Sequence, residues 1–352
     1  EAMALAKELS APGSIASAYE LQGSIALAEK RPSDSAAAFQ EALAAYISQD
    51  DHPGLANARY GLARALRESG DLDAALVEAE EALAQIESIR ATVRNSELRA
   101  SYRERTQRFH ELKVDLLMRK HEFDPSGGFD FAALVASDTS RARGLLESFG
   151  GNLPEFLRDA DPALIADRET KGRRVNELER RRALALDVNR IGTAPSTTAL
   201  TGALREYRDA EAKVFASSPR ARALLAPPLT TRETLAEIAG DDAVIVEYAL
   251  GESRSFAWAV SRSGLASAIL PPRSVIEDAA ARLFRAVTAR NATANDASVD
   301  TRRARLQAAD RQASSAARDL ARLIVDPVGG RMAEGRRLVF IVDGALSTVP
   351  FA

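Results

Sequence analysis

Residues 55–89 read LANARYGLARALRESGDLDAALVEAEEALAQIESI. Apolar and small residues recur at helical spacing on both sides of Gly70-Asp71, which predicts two helices, Leu55–Ser69 and Leu72–Ile89, joined by a glycine turn. Ala63, Ala75 and Ala82 are small enough for the two helices to approach closely, while Leu62, Leu66 and Leu83 fill the space between them. The pattern has a precursor forty residues upstream. Gly23, Phe39, Ala42 and Leu43 stand where Ala63, Ala79, Ala82 and Leu83 stand later, which predicts an earlier pair, Ile15–Glu29 and Ser35–Ser48. The two pairs are linked through Gln49-Asp50-Asp51-His52-Pro53-Gly54.

This spacing resembles tetratricopeptide (TPR) repeats in a form with a lengthened link between units. Leu62-Ala63, Leu66, Gly70, Ala75, Ala79 and Ala82 follow the TPR pattern, with Gln22, Ala26 and Lys30 at the matching places of the first unit. The resemblance implies a docking or peptide-binding solenoid over residues 1–95. Stacked repeats bury their faces on neighbours and about three are needed, so further units are expected before Glu1. An unrelated amphipathic bundle is the plainer alternative. Residues 16–89 hold thirteen Asp/Glu against five Lys/Arg, an acidic excess that would suit a basic partner segment but is explained more simply by a solvated acidic face.

Downstream, Leu98, Tyr102, Phe109, Leu112 and Leu116 predict one long helix over Ser96–His121, broken by Asp124-Pro125-Ser126-Gly127-Gly128. A second helix follows over Phe129–Phe149 and stops at Gly150-Gly151. Residues 162–217 predict a helical hairpin with its tip at Ile191–Thr197. Val175, Leu178 and Leu186 on one arm are expected to face Leu200, Leu204, Tyr207 and Val214 on the other. Residues 168–190 carry eight Arg/Lys and four acids, including Arg180-Arg181-Arg182. A nucleic-acid contact through Arg173–Arg182 would want interleaved aromatics, which are absent, so a solvated helix face or one docked on the acidic solenoid is the better reading and nucleic acid is not expected as a partner.

After Pro227-Pro228 the period changes. Ala243–Leu250, Ser255–Ser261 and Leu265–Leu270 predict an antiparallel meander, followed by helices over Ser274–Arg290 and Asp300–Val325. Leu338–Val342 reads as a run fit for a central buried strand closed by Asp343-Gly344, and in this chain Leu338–Phe351 is expected to present an apolar strand lacking its usual neighbour. Taken in order, LKVDLLMRKHEFDPSGGFD, SRARGLLESF, IVEYALGESRSFAWAVS, LPPRS and RRLVFIVDGALSTVPFA resemble a TPR-linked CHAT-domain protein, a family similar to caspases and separases. The expected fold class is therefore mainly α, with a TPR-type α-solenoid and a long helical hairpin, followed by the N-terminal part of an α/β caspase-like (CHAT) domain. The expected divisions are 1–95, 96–225 and 226–352.

The resemblance implies cysteine peptidase chemistry, with a His before a Gly as base and a Cys as nucleophile. The chain contains no cysteine, and its histidines, His52, His110 and His121, neither precede Gly nor follow Leu338, so each is read as structural. Both ends look like cuts, and the catalytic pair is expected beyond Ala352. No catalytic, cofactor-binding or metal residue is assigned. No Gly-x-Ser-x-Gly, phosphate loop or metal-ligand spacing is present, and Asp343 and Gly344 are expected to end a strand. No apolar run approaches the roughly 18–20 residues of a membrane span and no signal peptide opens the chain, so a cytoplasmic protein is expected, with a protein or peptide partner, no membrane and no cofactor. A non-enzymatic TPR/CHAT interaction scaffold is the alternative to a peptidase parent.

Overall fold

The computed structural model describes residues 12–49, 51–90, 96–148, 159–187, 197–218, 231–289, 298–333 and 337–351. Of these, 76% are helical, and the strands form one four-stranded sheet. Two compact units emerge, one within Glu1–His110 and Asp138–Leu229, the other within Glu111–Ser137 and Thr230–Ala352. The proline, glycine and loop positions expected at 149–151, 191–196, 219–230 and 291–297 lie outside the described residues, as do residues 1–11, Arg336 and Ala352.

The first unit opens with helices α1 (Pro12–Ala28), α2 (Pro32–Gln49), α3 (His52–Ser69) and α4 (Leu72–Arg90), each packed on the next. Gly70 takes the left-handed conformation (φ 87°) that glycine adopts without a Cβ penalty, and its N–H closes α3 on the carbonyls of Arg67 and Leu66. Asp71 then accepts from the Ala74 N–H to start α4. At the equivalent corner of the first pair the left-handed residue is Lys30 (φ 58°), a conformation costing a side chain on the order of 1 kcal/mol.

Between the helices the forty-residue pattern becomes packing. Phe39 is 3% exposed, and its ring fills the space over Gly23 of α1 and Gly61 of α3. A Cβ built on Gly23 would stand 2.9 Å from that ring, and one on Gly61 would overlap it. Tyr46 closes the α1–α2–α3 junction over Gly54 and donates its hydroxyl proton to Glu20 at 2.8 Å. Burial pushes the Tyr46 phenol up to about 12, with Ser17 opposing and Glu20 assisting. An acid whose pKa is raised by folding contributes stability that is complete below its unfolded value, about 10, and is lost as pH rises through the folded value. Thermal melts followed by far-UV circular dichroism should therefore show the wild type losing up to about 2 kcal/mol between pH 10 and 12 relative to Tyr46→Phe. Parallel curves for the two proteins would refute this.

Helix α5 (Ser96–Phe123) follows; Phe109, Leu112 and Leu116 of its expected stripe are buried, while the side chains of Leu98 and Tyr102 lie outside the described set. Helix α6 spans Phe129–Ser148. Helices α7 (Pro162–Asp187) and α8 (Thr197–Ser217) form the hairpin. Val175 and Leu178 pack with Ala203 and Tyr207, and Val214 packs with Ala160, Leu164 and Ile165. The side chains of Leu186, Leu200 and Leu204 lie outside the described residues. The basic stretch is extensively paired: Arg180 and Arg181 meet Glu177, Arg174 meets Glu206, and Arg168 meets Glu211.

In the second unit, after the short helix α9 (Arg232–Ala239), strands β1 (Ala243–Ala249), β2 (Ser255–Ser261) and β3 (Gly264–Leu270) form the expected antiparallel meander. Helices α10 (Arg273–Ala289) and α11 (Val299–Ile324) and the single turn α12 (Gly329–Met332) lead to β4 (Arg337–Ile341), which runs parallel to β1. Val244, Val246, Tyr248 and Leu250 alternate onto one face with Ile276, Leu283, Leu320 and Ile324 of α10 and α11. Tyr248 donates to the Ile324 carbonyl at 3.1 Å.

Leu338–Val342, expected as an apolar core strand lacking one neighbour in this chain, pairs with β1 in the order β3-β2-β1-β4, so among the described residues β4 lies at the sheet edge with Leu338 and Val339 each 40% exposed. A run of apolar residues reports burial potential, not position in the sheet, and pairing with β1 alone leaves the other side of β4 open among the described residues. Asp343 then accepts from the Leu250 N–H at 2.9 Å, tying the chain after β4 to the end of β1.

Candidate functional site

The described residues contain no cluster of three or more His, Asp or Glu placed to hold a metal, and no helix among them is long and apolar enough to cross a membrane. The three histidines are separate. His52 is exposed and meets the Gln85 amide at 3.2 Å, His110 is 6% exposed, and the buried Nδ1 of His121 has no partner. His121 lines an open cleft of about 600 Å³ in the second unit together with Ser126, Gly128, Asp130, Arg232 and Ser267. Arg232 already bonds Asp130 at 2.8 Å there, so the charges of the cleft are mutually compensated.

A different surface is less satisfied. On α3, Tyr60 and Arg64 stand one turn apart on a common face. Beneath them Ala56, Ala82, Leu83, Ile86 and Phe109 form a core that joins α3 and α4 to the first half of α5, and the rings of Tyr60 and Phe109 stand 4.8 Å apart. This brings Arg108 of α5 over the Tyr60 ring, 4.9 Å from its centroid, with Arg64 5.7 Å away from the same ring. Arg108 also donates to Asn57 Oδ1 at 2.6 Å, so a neutral amide fixes it. By contrast, Arg59 meets Glu78 at 2.8 Å, Arg67 meets Glu68 at 2.8 Å, and Arg31, between α1 and α2, meets Asp34 at 2.7 Å. Among the described residues neither Arg64 nor Arg108 has a carboxylate partner.

The acidic excess of this segment lies elsewhere. Asp73, Glu80 and Glu81 are exposed along α4, and Asp34 and Glu41 along α2, as expected for a solvated acidic face. The Tyr60 and Arg64 pair is visible as an i, i+4 spacing, but Arg108 joins it from 44 residues beyond Arg64 through packing that no local pattern encodes.

A family model described as tetratricopeptide repeat matches residues 14–88, the span of α1 to α4. No curated protein and no solved structure matches the chain.

Proposed function

We propose that this chain is the recognition and scaffold part of a TPR-linked CHAT-domain protein, whose intact form is a caspase-like cysteine peptidase. TPR repeats commonly mediate protein–protein interaction, and the α1–α4 array supports that role here. The observation that carries the reading is the α3/α5 face, where two arginines flank an aromatic ring anchored in the core and meet no carboxylate among the described residues.

The peptidase parentage is supported by the motif order and by a second unit in which an antiparallel meander precedes two helices and a parallel strand. A thiolate nucleophile is absent from this sequence, so the chain itself acts by shape and docking surface. The non-enzymatic TPR/CHAT scaffold rests on the same features, and the two readings differ in the chemistry of the parent.

The scaffold role is tested by probing an array of immobilised peptides of mixed composition with the purified chain. Capture of a subset is expected, together with its loss in Phe39→Ala, which unpacks α1, α2 and α3. Capture of no peptide, or the same capture by Phe39→Ala, would overturn the reading. Peptide hydrolysis by the chain that iodoacetamide blocks would likewise refute the absence of thiol chemistry.

A further inference from the structure

We infer that the partner segment seated on the α3/α5 face is an acidic peptide, whose carboxylates are received by Arg64 and Arg108 beside Tyr60; the inference rests on the scaffold reading and names the chemistry of its ligand. Three observations lead to it. First, both guanidinium groups lie within 6 Å of one ring centroid, at 5.7 and 4.9 Å, and no carboxylate neutralises either among the described residues. Both cations thus flank a single aromatic ring, and an incoming carboxylate would be attracted by each of them. Second, the groups are pre-positioned. Arg108 is held by Asn57 and by the rings of Tyr60 and Phe109, while Arg64 lies over Tyr60, so less side-chain freedom is lost on binding than for a free surface arginine. Third, the unspent donors suit the ligand. The planar guanidinium matches a carboxylate in a two-pronged hydrogen bond, and only one N–H contact of Arg108, and none of Arg64, is used within the described residues.

A nucleic-acid strand fits less well. Its affinity grows with the number of cations that track the phosphates, whereas this face offers two, Arg64 and Arg108, beside a segment, residues 16–89, with thirteen acids against five Lys/Arg. The acidic α4 face, with Asp73, Glu80 and Glu81 exposed, would repel a long polyanion and leave a short acidic peptide free to seat locally.

The test is fluorescence anisotropy of the full chain with a labelled short glutamate-rich peptide, its lysine-rich counterpart and a short oligothymidylate. The acidic peptide is expected to bind with marked salt dependence. Arg64→Ala and Arg108→Ala should each weaken it by about five- to tenfold, and Arg64→Lys, which keeps the charge but loses the two-pronged geometry, should recover only part of the affinity. Far-UV circular dichroism checks that the variants stay folded, and Arg108→Gln provides a second variant at that position. Unchanged binding of the acidic peptide to the double alanine variant, or preference for the lysine-rich peptide or the oligothymidylate, would overturn the inference. Should a peptide of another composition bind and be lost in Phe39→Ala, the scaffold reading stands while this one falls.

Discussion

Gly61→Ala should destabilise the front helices by about 2–3 kcal/mol, although alanine is the better helix former by about 1 kcal/mol. The added methyl would occupy the space of the Phe39 ring, which is 3% exposed and lies also against Gly23. Overpacking of this kind forces a ring off its rotamer or two helices apart. Deleting the ring instead, in Phe39→Ala, should cost about 3–5 kcal/mol through lost burial and the cavity left behind. The two sites are coupled by contact. Gly61→Ala combined with Phe39→Leu is therefore expected to cost less than the sum of the single changes. Gly202→Ala in α8 is the control, since a Cβ there meets nothing within 4 Å and should stabilise its helix by up to about 1 kcal/mol. Native-state hydrogen exchange of α2 and α3 reads the effect locally, and unchanged protection in Gly61→Ala would contradict the packing described.

The second large effect is expected at Asp115, on the half of α5 that belongs to the sheet-containing unit. Its side chain is 9% exposed and accepts from Arg119 Nε at 3.0 Å and from Arg254 Nε at 2.9 Å. Arg254 sits between β1 and β2, also pairs with Glu122 and lies over the Phe256 ring. Burial works against the Arg254 charge, but Asp115 and Glu122 outweigh it and hold its pKa above the ordinary arginine value. The group thus stays charged, and removing Asp115 leaves it under-compensated in a mostly enclosed place. Breaking a buried pair from one side costs roughly 3–5 kcal/mol, and the 20% exposure of Arg254 together with its remaining partner Glu122 lowers the expectation for Asp115→Ala below that range, to about 2–3 kcal/mol. Asp115→Asn, which keeps the volume and one acceptor, should cost about half as much. The only tryptophan of the chain, Trp258, is fully buried in β2, so its fluorescence follows this unit alone during urea unfolding. A midpoint unmoved by Asp115→Ala would show that the network contributes no net stability.

Helix pairs α1–α2 and α3–α4 were legible because a helix that buries one stripe must repeat apolar residues every three or four positions. The turn at Gly70 was legible for a related reason, since few residues besides glycine tolerate its backbone conformation. The close-packing roles of Gly54 and Gly61 were not. A glycine in a helix reads as a weak helix former until the aromatic ring it accommodates, Tyr46 or Phe39, is located on a neighbouring helix. The meander was legible by its period and turns, and β4 by its apolar run, although apolarity alone is the same for a central strand and for an edge strand. The candidate site was half legible: Tyr60 and Arg64 are neighbours along one helix, but Arg108 enters only when Phe109 packs against Tyr60 and carries α5 alongside.

Local periodicity and composition thus determined the helix pairs, the strand meander and the absence of any thiolate nucleophile, because each depends on which residues exist and how they are spaced. Only the tertiary structure decided which charges are neutralised. The thirteen acids against five bases of residues 16–89 describe a negative segment, yet among the described residues Arg31, Arg59 and Arg67 meet carboxylates while Arg64, and Arg108 brought to the same ring, meet none. Charge pairing depends on distance in space at the scale of a few ångströms, and distances between residues far apart in the chain are set by the packing of the core.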